Sequence, residues 1–371
     1  MARLYYYLAS GKLNPMLFDK LEAYPTKTLV LGLILAGFLA RVDAQEFPTF
    51  TDPSKAGPDF LVQGEYVGLV GGSQQIAAQV IAMGDGKFEG VLYGGGLPGA
   101  GWDETNRFHF RGETKDGVAR FIGLHGERLK YENTTFMGVL QEGKLTGTAD
   151  MFRNVVDDSN FEMKKVERKS PTLGTRPPQG TLVLFDGSST DEWTDAKFVD
   201  GKLLDNGATS KRVFQSMQLH VEFRLPFMPT AQGMDRSNSG LYIKDWEIQI
   251  GDTFGWTPEN RQFERLSLQG LCGSLMKMAV PRLNMCFPPL SWQTFDVDFD
   301  AAEFDNTGHK IKPAMMTVRH NGVLVFDRYV MSTVPPGGSP DRSVEKVASP
   351  ILLQAHGNPV HFRNIWVREK K

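Results

Sequence analysis

Apolar and polar residues alternate along this chain in short runs, and glycine-containing pairs cut the runs apart. Alternation at period two marks a strand with one buried face. The pattern predicts strands over 64–68, 75–83, 87–93, 107–111, 118–123, 136–140 and 144–150. Asp85-Gly86, Asp116-Gly117 and Glu142-Gly143 fall between consecutive runs, where two-residue hairpin turns need residues that accept positive φ. Three such hairpins predict an antiparallel β-meander or a small barrel. Gly94-Gly95-Gly96-Leu97-Pro98-Gly99 lacks the following helix of a phosphate loop and reads as a flexible turn.

A charged run, Lys164–Lys169, followed by Pro171, Pro177 and Pro178, reads as a solvated linker over 168–180. Alternation then resumes over 219–225, 241–244, 246–250, 294–299, 314–320, 323–326, 351–354 and 360–367. Asn321-Gly322 is a further two-residue hairpin turn. No amphipathic helix stands out. The expected fold class is all-β, with a meander or small barrel over 59–167 and a two-sheet jelly-roll sandwich over 181–371.

The strand at 246–250 carries the candidate chemistry. Its alternation sends Glu247 and Gln249 to one face and Trp246, Ile248 and Ile250 to the other. The polar face is expected to be wet or shaped for a ligand. Asp252 has the wrong parity to join Glu247, but a bulge at Gly251 would bring it back. Glu247, Gln249 and Asp252 then match the spacing of the E-x-D-x-x-E strand of laminarinase-type glycosidases, with Gln249 at the central position. A solvated strand face followed by a surface turn accounts for the same residues.

Composition narrows the class. The chain has 371 residues and a net charge of −2, so no basic field points to a nucleic-acid partner. Leu29–Ala40 is an apolar run of twelve residues behind Lys20 and Lys27, and Val42-Asp43-Ala44 offers a cleavage site before Gln45. This is the layout of a secretory signal peptide over 1–44, with a polar connector over 45–58. Twelve residues fall short of the roughly 20 that span a bilayer, so no membrane span is expected after cleavage. The protein is expected to be exported, to the periplasm, the cell envelope or the medium. The two cysteines, Cys272 and Cys286, flank a Pro-containing loop and are expected to form a disulfide in an oxidising compartment, with two buried free thiols as the alternative.

Six motifs occur in order: Leu184-Phe185-Asp186-Gly187 with Trp193; Asn238-Ser239-Gly240-Leu241-Tyr242; Glu247-x-Gln249-x-x-Asp252; Trp292-Gln293-Thr294-Phe295-Asp296; His320-Asn321-Gly322; and Leu353-Gln354-x-His356-Gly357 with Phe362-Arg363-Asn364-Ile365. Together they resemble the bacterial 3-keto-disaccharide hydrolase domain family over about 181–368. The resemblance implies a concanavalin A-like lectin/glucanase jelly roll, an extracytoplasmic location and an oligosaccharide or 3-keto-glycoside substrate. Met276 departs from the family's aromatic residue, and Ala355 stands where an acidic residue often sits.

On this reading the catalytic candidates are Glu247, Asp252 and His356. Candidate sugar contacts are Asn238, Ser239, Tyr242, Gln249, Gln354, Arg363 and Trp292. Arg363-Asn364 fits cross-strand pairing equally well. Glycoside hydrolysis ordinarily needs two carboxyl groups. A 3-keto sugar needs a single base for its acidified C2 proton, with donors for the enolate. A divalent cation is compatible with Glu247, Asp252, His320 and His356, but their spacing matches no zinc motif and no cofactor is assigned. The same fold also serves lectins, and a structural role in the envelope is a third reading.

Overall fold

Pairs of residues that both tolerate positive φ should close tight hairpins, and they do so throughout a computed structural model of the chain. The structure describes residues 47–123, 135–152, 156–258, 270–331, 345 and 347–370; the expected signal peptide lies outside the described residues. Asp85, Gly86, Asp116, Gly117, Glu142 and Gly143 all have φ between 49° and 75°.

These turns join β2 to β3, β4 to β5 and β6 to β7 among eight strands: β1 (Gly64–Val70), β2 (Gln74–Gly84), β3 (Lys87–Gly94), β4 (Arg107–Lys115), β5 (Val118–Gly123), β6 (Phe136–Gln141), β7 (Lys144–Ala149) and β8 (Asn160–Val166). They form a closed antiparallel barrel in which β8 returns to pair with β1. Its interior is filled rather than hollow. Phe88, Phe110, Phe121, Phe136 and Phe161 are buried there, with Phe136 stacked on Phe161 at 5.3 Å. Gly90 lies opposite Phe110 because a Cβ at that position would come within 2.2 Å of the ring.

Strand β2 is buried on both faces. Ile76, Ala78, Val80 and Ala82 point into the barrel, while Ile81 belongs to the core of the C-terminal sandwich. This double burial explains why the run IAAQVIAM alternates so weakly. Barrel and sandwich lie within one compact unit, Phe47–Lys371. Arg168 joins them: it grips Glu65 through Nε and Nη2 at 2.6 and 2.5 Å and stacks over Phe287. The glycine-rich loop is pinned at the same junction. Pro98 O accepts from Arg168, and Gly99 lies against Met285 and Val323.

The sandwich strands are β9 (Leu182–Phe185), β10 (Trp193–Thr194), β11 (Phe198–Val199), β12 (Leu203–Asp205), β13 (Thr209–Phe214), β14 (Met217–Arg224), β15 (Asn238–Ile243), β16 (Trp246–Gly251), β17 (Trp292–Asp300), β18 (Glu303–Phe304), β19 (Lys310–Lys312), β20 (Met315–His320), β21 (Val323–Val330), β22 (Ser349–Leu353) and β23 (His361–Glu369). One sheet runs β10-β13-β22-β15-β16; the other runs β11-β12-β23-β14-β17-β20-β21, with β9 on β23. Their facing sides bury Leu241, Ile243, Trp246, Ile248, Ile250, Phe223, Phe295 and Phe362. The expected all-β class, a small barrel followed by a jelly-roll sandwich, is the architecture observed.

The first part of the linker docks on the sandwich, while Lys169 and residues 174–180 stay exposed as expected. Ser170 Oγ lies 2.6 Å from Thr294 Oγ1, and Thr172 Oγ1 donates to Asp296 at 2.6 Å. Gly174 N donates to Glu222 at 2.5 Å. Polar side chains on the outer face of the larger sheet thus find backbone and hydroxyl partners in the linker.

Candidate active site

Register decides which side chains can meet. Between β15 and β16, Tyr242 lies opposite Glu247, and Gly240 lies opposite Gln249. On the other side of β15, Gln354 N donates to Gly240 O at 2.8 Å, just beyond the end of β22. Side chains directly across a sheet are close neighbours. Tyr242, Glu247, Gln249 and Gln354 therefore share the face turned away from the sandwich core.

That face is not wet. Glu247 is 9% exposed and Gln249 is fully buried. Strand β16 is covered along its edge by the segment 273–276: Gly273 N donates to Gln249 O, Gln249 N to Ser274 O, and Met276 N to Glu247 O. The donors of the polar face are satisfied within it, while Gln249 Oε1 and Gln354 Oε1 are buried without a partner among the described residues. Tyr242 Oη donates to Glu247 Oε2 at 2.7 Å, and Gln354 Nε2 donates to Tyr242 Oη at 3.1 Å. Gln249 Nε2 donates to Asn238 Oδ1 at 3.1 Å and to the carbonyls of Ser239 and Ile250.

Burial raises the Glu247 pKa above the usual carboxylate value, against the Tyr242 hydrogen bond and the nearby charges of His356 and Lys277. Both residues sit on exposed loops flanking the carboxyl. Gly240 supplies the space for it: a Cβ there would lie 2.6 Å from Glu247 Oε1.

The second candidate carboxylate turns elsewhere. No bulge forms at Gly251, since the β15–β16 register runs unbroken from Asn238–Gly251 to Ile243–Trp246. Asp252 keeps its original parity and pairs with Arg236 Nε at 2.9 Å, both side chains being 1% exposed. Arg236 Nη1 reaches on to Ala82 O of the barrel and Pro229 O. Asp252 is half of a buried ion pair at the barrel–sandwich junction, not a partner for Glu247.

Other sequence candidates separate in the same way. Ser239 is buried and donates from Oγ to Gln354 O at 2.7 Å, so it fixes backbone instead of meeting sugar. Trp292 and Arg363 lie on the outer face of the other sheet, where the Arg363 guanidinium stacks 3.9 Å above the Trp292 ring and Nε donates to Glu222 at 2.7 Å. Glu222 also accepts from Asn364 at 2.8 Å. Burial acts to raise its pKa, but bonds from His220, Asn364, Gly174 and Arg363 outweigh that and hold it at about 2. Cross-strand pairing is thus the role of Arg363-Asn364.

His320 is enclosed in the core, hydrogen-bonded to Gln293 at 3.0 Å, and burial drives its pKa down to about 3. The four residues weighed as cation ligands therefore do not converge, and among the described residues no group of three His, Cys, Asp or Glu side chains gathers.

The expected disulfide is not formed. Cys272 and Cys286 are free, buried and hydrogen-bonded neighbours, and burial pushes the Cys286 thiol up.

Sequence reasoning missed Lys277 and Arg236, and it placed Gly240 in the Asn238–Tyr242 motif without its role opposite Glu247. A glycine inside a strand is the signal for that role; neither basic residue carries a local signal.

The family model of the 3-keto-alpha-glucoside-1,2-lyase-like domain matches residues 180–368. Two crystal structures of candidate glycosyl hydrolases from Parabacteroides distasonis ATCC 8503 are similar to the chain. One shares 26% identity over 52% of this chain and 85% of its own, with a TM-score of 0.45. The other shares 16% identity over 52% and 95%, with a TM-score of 0.37. No curated protein matches the chain.

Proposed function

The chain belongs to the 3-keto-alpha-glucoside-1,2-lyase-like family, and from that premise we propose that it cleaves the glycosidic bond of 3-keto-glycosides, with Glu247 as the base. The observation that carries this reading is the separation of the two carboxylates. Glu247 sits on the sheet face with a raised pKa, while Asp252 is neutralised by Arg236. Glycosidases that act on unoxidised sugars need two carboxyl groups, about 5–5.5 Å or 6.5–9.5 Å apart. Elimination from a 3-keto sugar needs only one.

In the proposed reaction the Glu247 carboxylate takes the proton from C2. The C2–H electron pair forms the enolate, and its charge rests on the C3 oxygen. The enolate then re-forms the carbonyl, the C1–O bond breaks, and the leaving oxygen takes a proton. Addition of water across the resulting C1=C2 bond yields the free 3-keto sugar. Asn238 is suited to hold the enolate, because its Oδ1 is engaged by Gln249 and its amide N–H groups have no partner among the described residues. His356, exposed beside Glu247, is suited to protonate the leaving group. A base placed in this way contributes about 10²–10⁴-fold in rate.

We extend the proposal to export, which rests on the apolar run and cleavage site of residues 1–44. N-terminal sequencing of the mature protein should begin near Gln45, and retention of residues 1–44 refutes it.

The deciding experiment incubates the protein with a 3-keto-glucoside and with the unoxidised glucoside, reading products by mass spectrometry. Cleavage of the keto sugar alone is expected, and Glu247→Gln should abolish it while leaving the circular dichroism spectrum unchanged. Equal cleavage of both sugars, or tight binding without any product, overturns the reading.

A further inference from the structure

The hydrogen bonds around Glu247 run in one direction. Gln354 Nε2 donates to Tyr242 Oη, so the hydroxyl's single proton is free to go to Glu247 Oε2. Gln354 is itself held from both sides: its backbone N bonds to Gly240 O at 2.8 Å, and its carbonyl accepts from Ser239 Oγ at 2.7 Å. The carboxylate is thus fixed through a chain of groups that each rest on backbone. Its other oxygen, Oε1, lies over Gly240 and has no hydrogen-bond partner among the described residues.

On the footing that Glu247 is the base, we propose that Tyr242, backed by Gln354, is a positioning residue that ties Oε2 and leaves Oε1 as the oxygen that accepts the substrate proton. This assigns Tyr242 a different task from the sugar contact expected of it. A tyrosine whose proton is committed to a carboxylate and whose oxygen already accepts from an amide has little left to offer a sugar hydroxyl. The tie also selects one rotamer of a flexible side chain, and small errors in placing a base are costly in rate.

The groups that bear on this pair are few. Gln354 and His356 approach from the end of β22, and Lys277 approaches from the loop beyond the edge segment. Burial and the Glu247 charge raise the Tyr242 pKa, so the phenol stays a donor throughout the working range.

The test reads the carboxyl directly, by NMR titration of protein carrying 13C-labelled glutamate, alongside kinetics on a 3-keto-glucoside. Tyr242→Phe removes a donor that favours the charged form, so the Glu247 pKa should rise by about one unit. The acid limb of kcat/KM should move up with it, and kcat should fall about tenfold while KM stays within about twofold. A merely structural tyrosine would leave both the titration and the limb in place, and that result overturns the proposal. Gln354→Ala should shift the titration in the same direction by less; it decides the case if Tyr242→Phe fails to fold, and an unmoved Glu247 then refutes the tie. Should the titration move as expected while the parent protein cleaves no keto sugar, the tie stands and the proposed reaction falls.

Discussion

Gly240→Ala tests the site by the smallest available change. Gly240 sits mid-strand, outside the positive-φ region, so alanine meets no backbone strain. What it meets is Glu247. An ideal Cβ lies 2.6 Å from Oε1, 2.9 Å from Cγ and 3.0 Å from Cδ. Carbon atoms prefer separations of about 3.5–4.0 Å, so the Glu247 side chain must retreat by roughly 0.6–1 Å. Two responses are open. If the side chain stays tied to Tyr242, overpacking costs about 1–3 kcal/mol. If it swings away, it loses a hydrogen bond to a charged group, about 1.5–3 kcal/mol.

Either response moves the carboxylate by the order of displacement that costs about 100-fold in rate. Urea unfolding should show a loss of about 1–3 kcal/mol, and kcat on a 3-keto-glucoside should fall about 100-fold. Gly251→Ala is the control: its Cβ would meet Ser237 O at 3.1 Å, Met234 Cε at 3.2 Å and Gln249 Nε2 at 3.7 Å, all milder contacts. A Gly240→Ala protein with parental kcat and parental stability would show that Glu247 is neither confined nor the base.

Asp252→Asn should destabilise the fold by about 3–5 kcal/mol, because it strands the buried Arg236 charge, while activity per folded molecule persists; loss of turnover at full stability would restore Asp252 as a catalytic group. His320 is held neutral with a pKa of about 3 against 6.5 when free. The folded state therefore refuses a proton that the unfolded chain accepts, so stability is full above pH 6.5 and falls as pH drops toward 3. Urea midpoints between pH 7 and 4 should show this slope, and His320→Gln should flatten it; an unchanged slope refutes the assignment. Thiol counting on unfolded protein without reductant should find two free thiols, Cys272 and Cys286, and none would mean that the pair is bridged.

The sequence by itself determined the barrel hairpins and the longer sandwich strands, but not β8, β9 to β13, β18 or β19, whose short or charged runs carry little alternation. Hairpin turns such as Asp85-Gly86 and Asn321-Gly322 are local: two residues must share positive φ, and few pairs can. Alternation at 246–250 likewise fixed which side chains share a face, because the pleat has period two whatever surrounds it. Glu247 could be singled out on those grounds alone.

What covers each face was decided only by the tertiary structure. Nothing local says that the edge of β16 is capped by residues 273–276, or that β2 is buried from both sides. The pairing of charges was equally hidden. Asp252 finds Arg236 and Arg363 finds Glu222 across 16 and 141 residues of sequence. A buried charge must be matched wherever the fold brings an opposite one, and strand spacing carries no record of that meeting. The same holds for Trp292 and Arg363: their motifs follow in order along the chain, but sheet order assigns them to the opposite side of the sandwich.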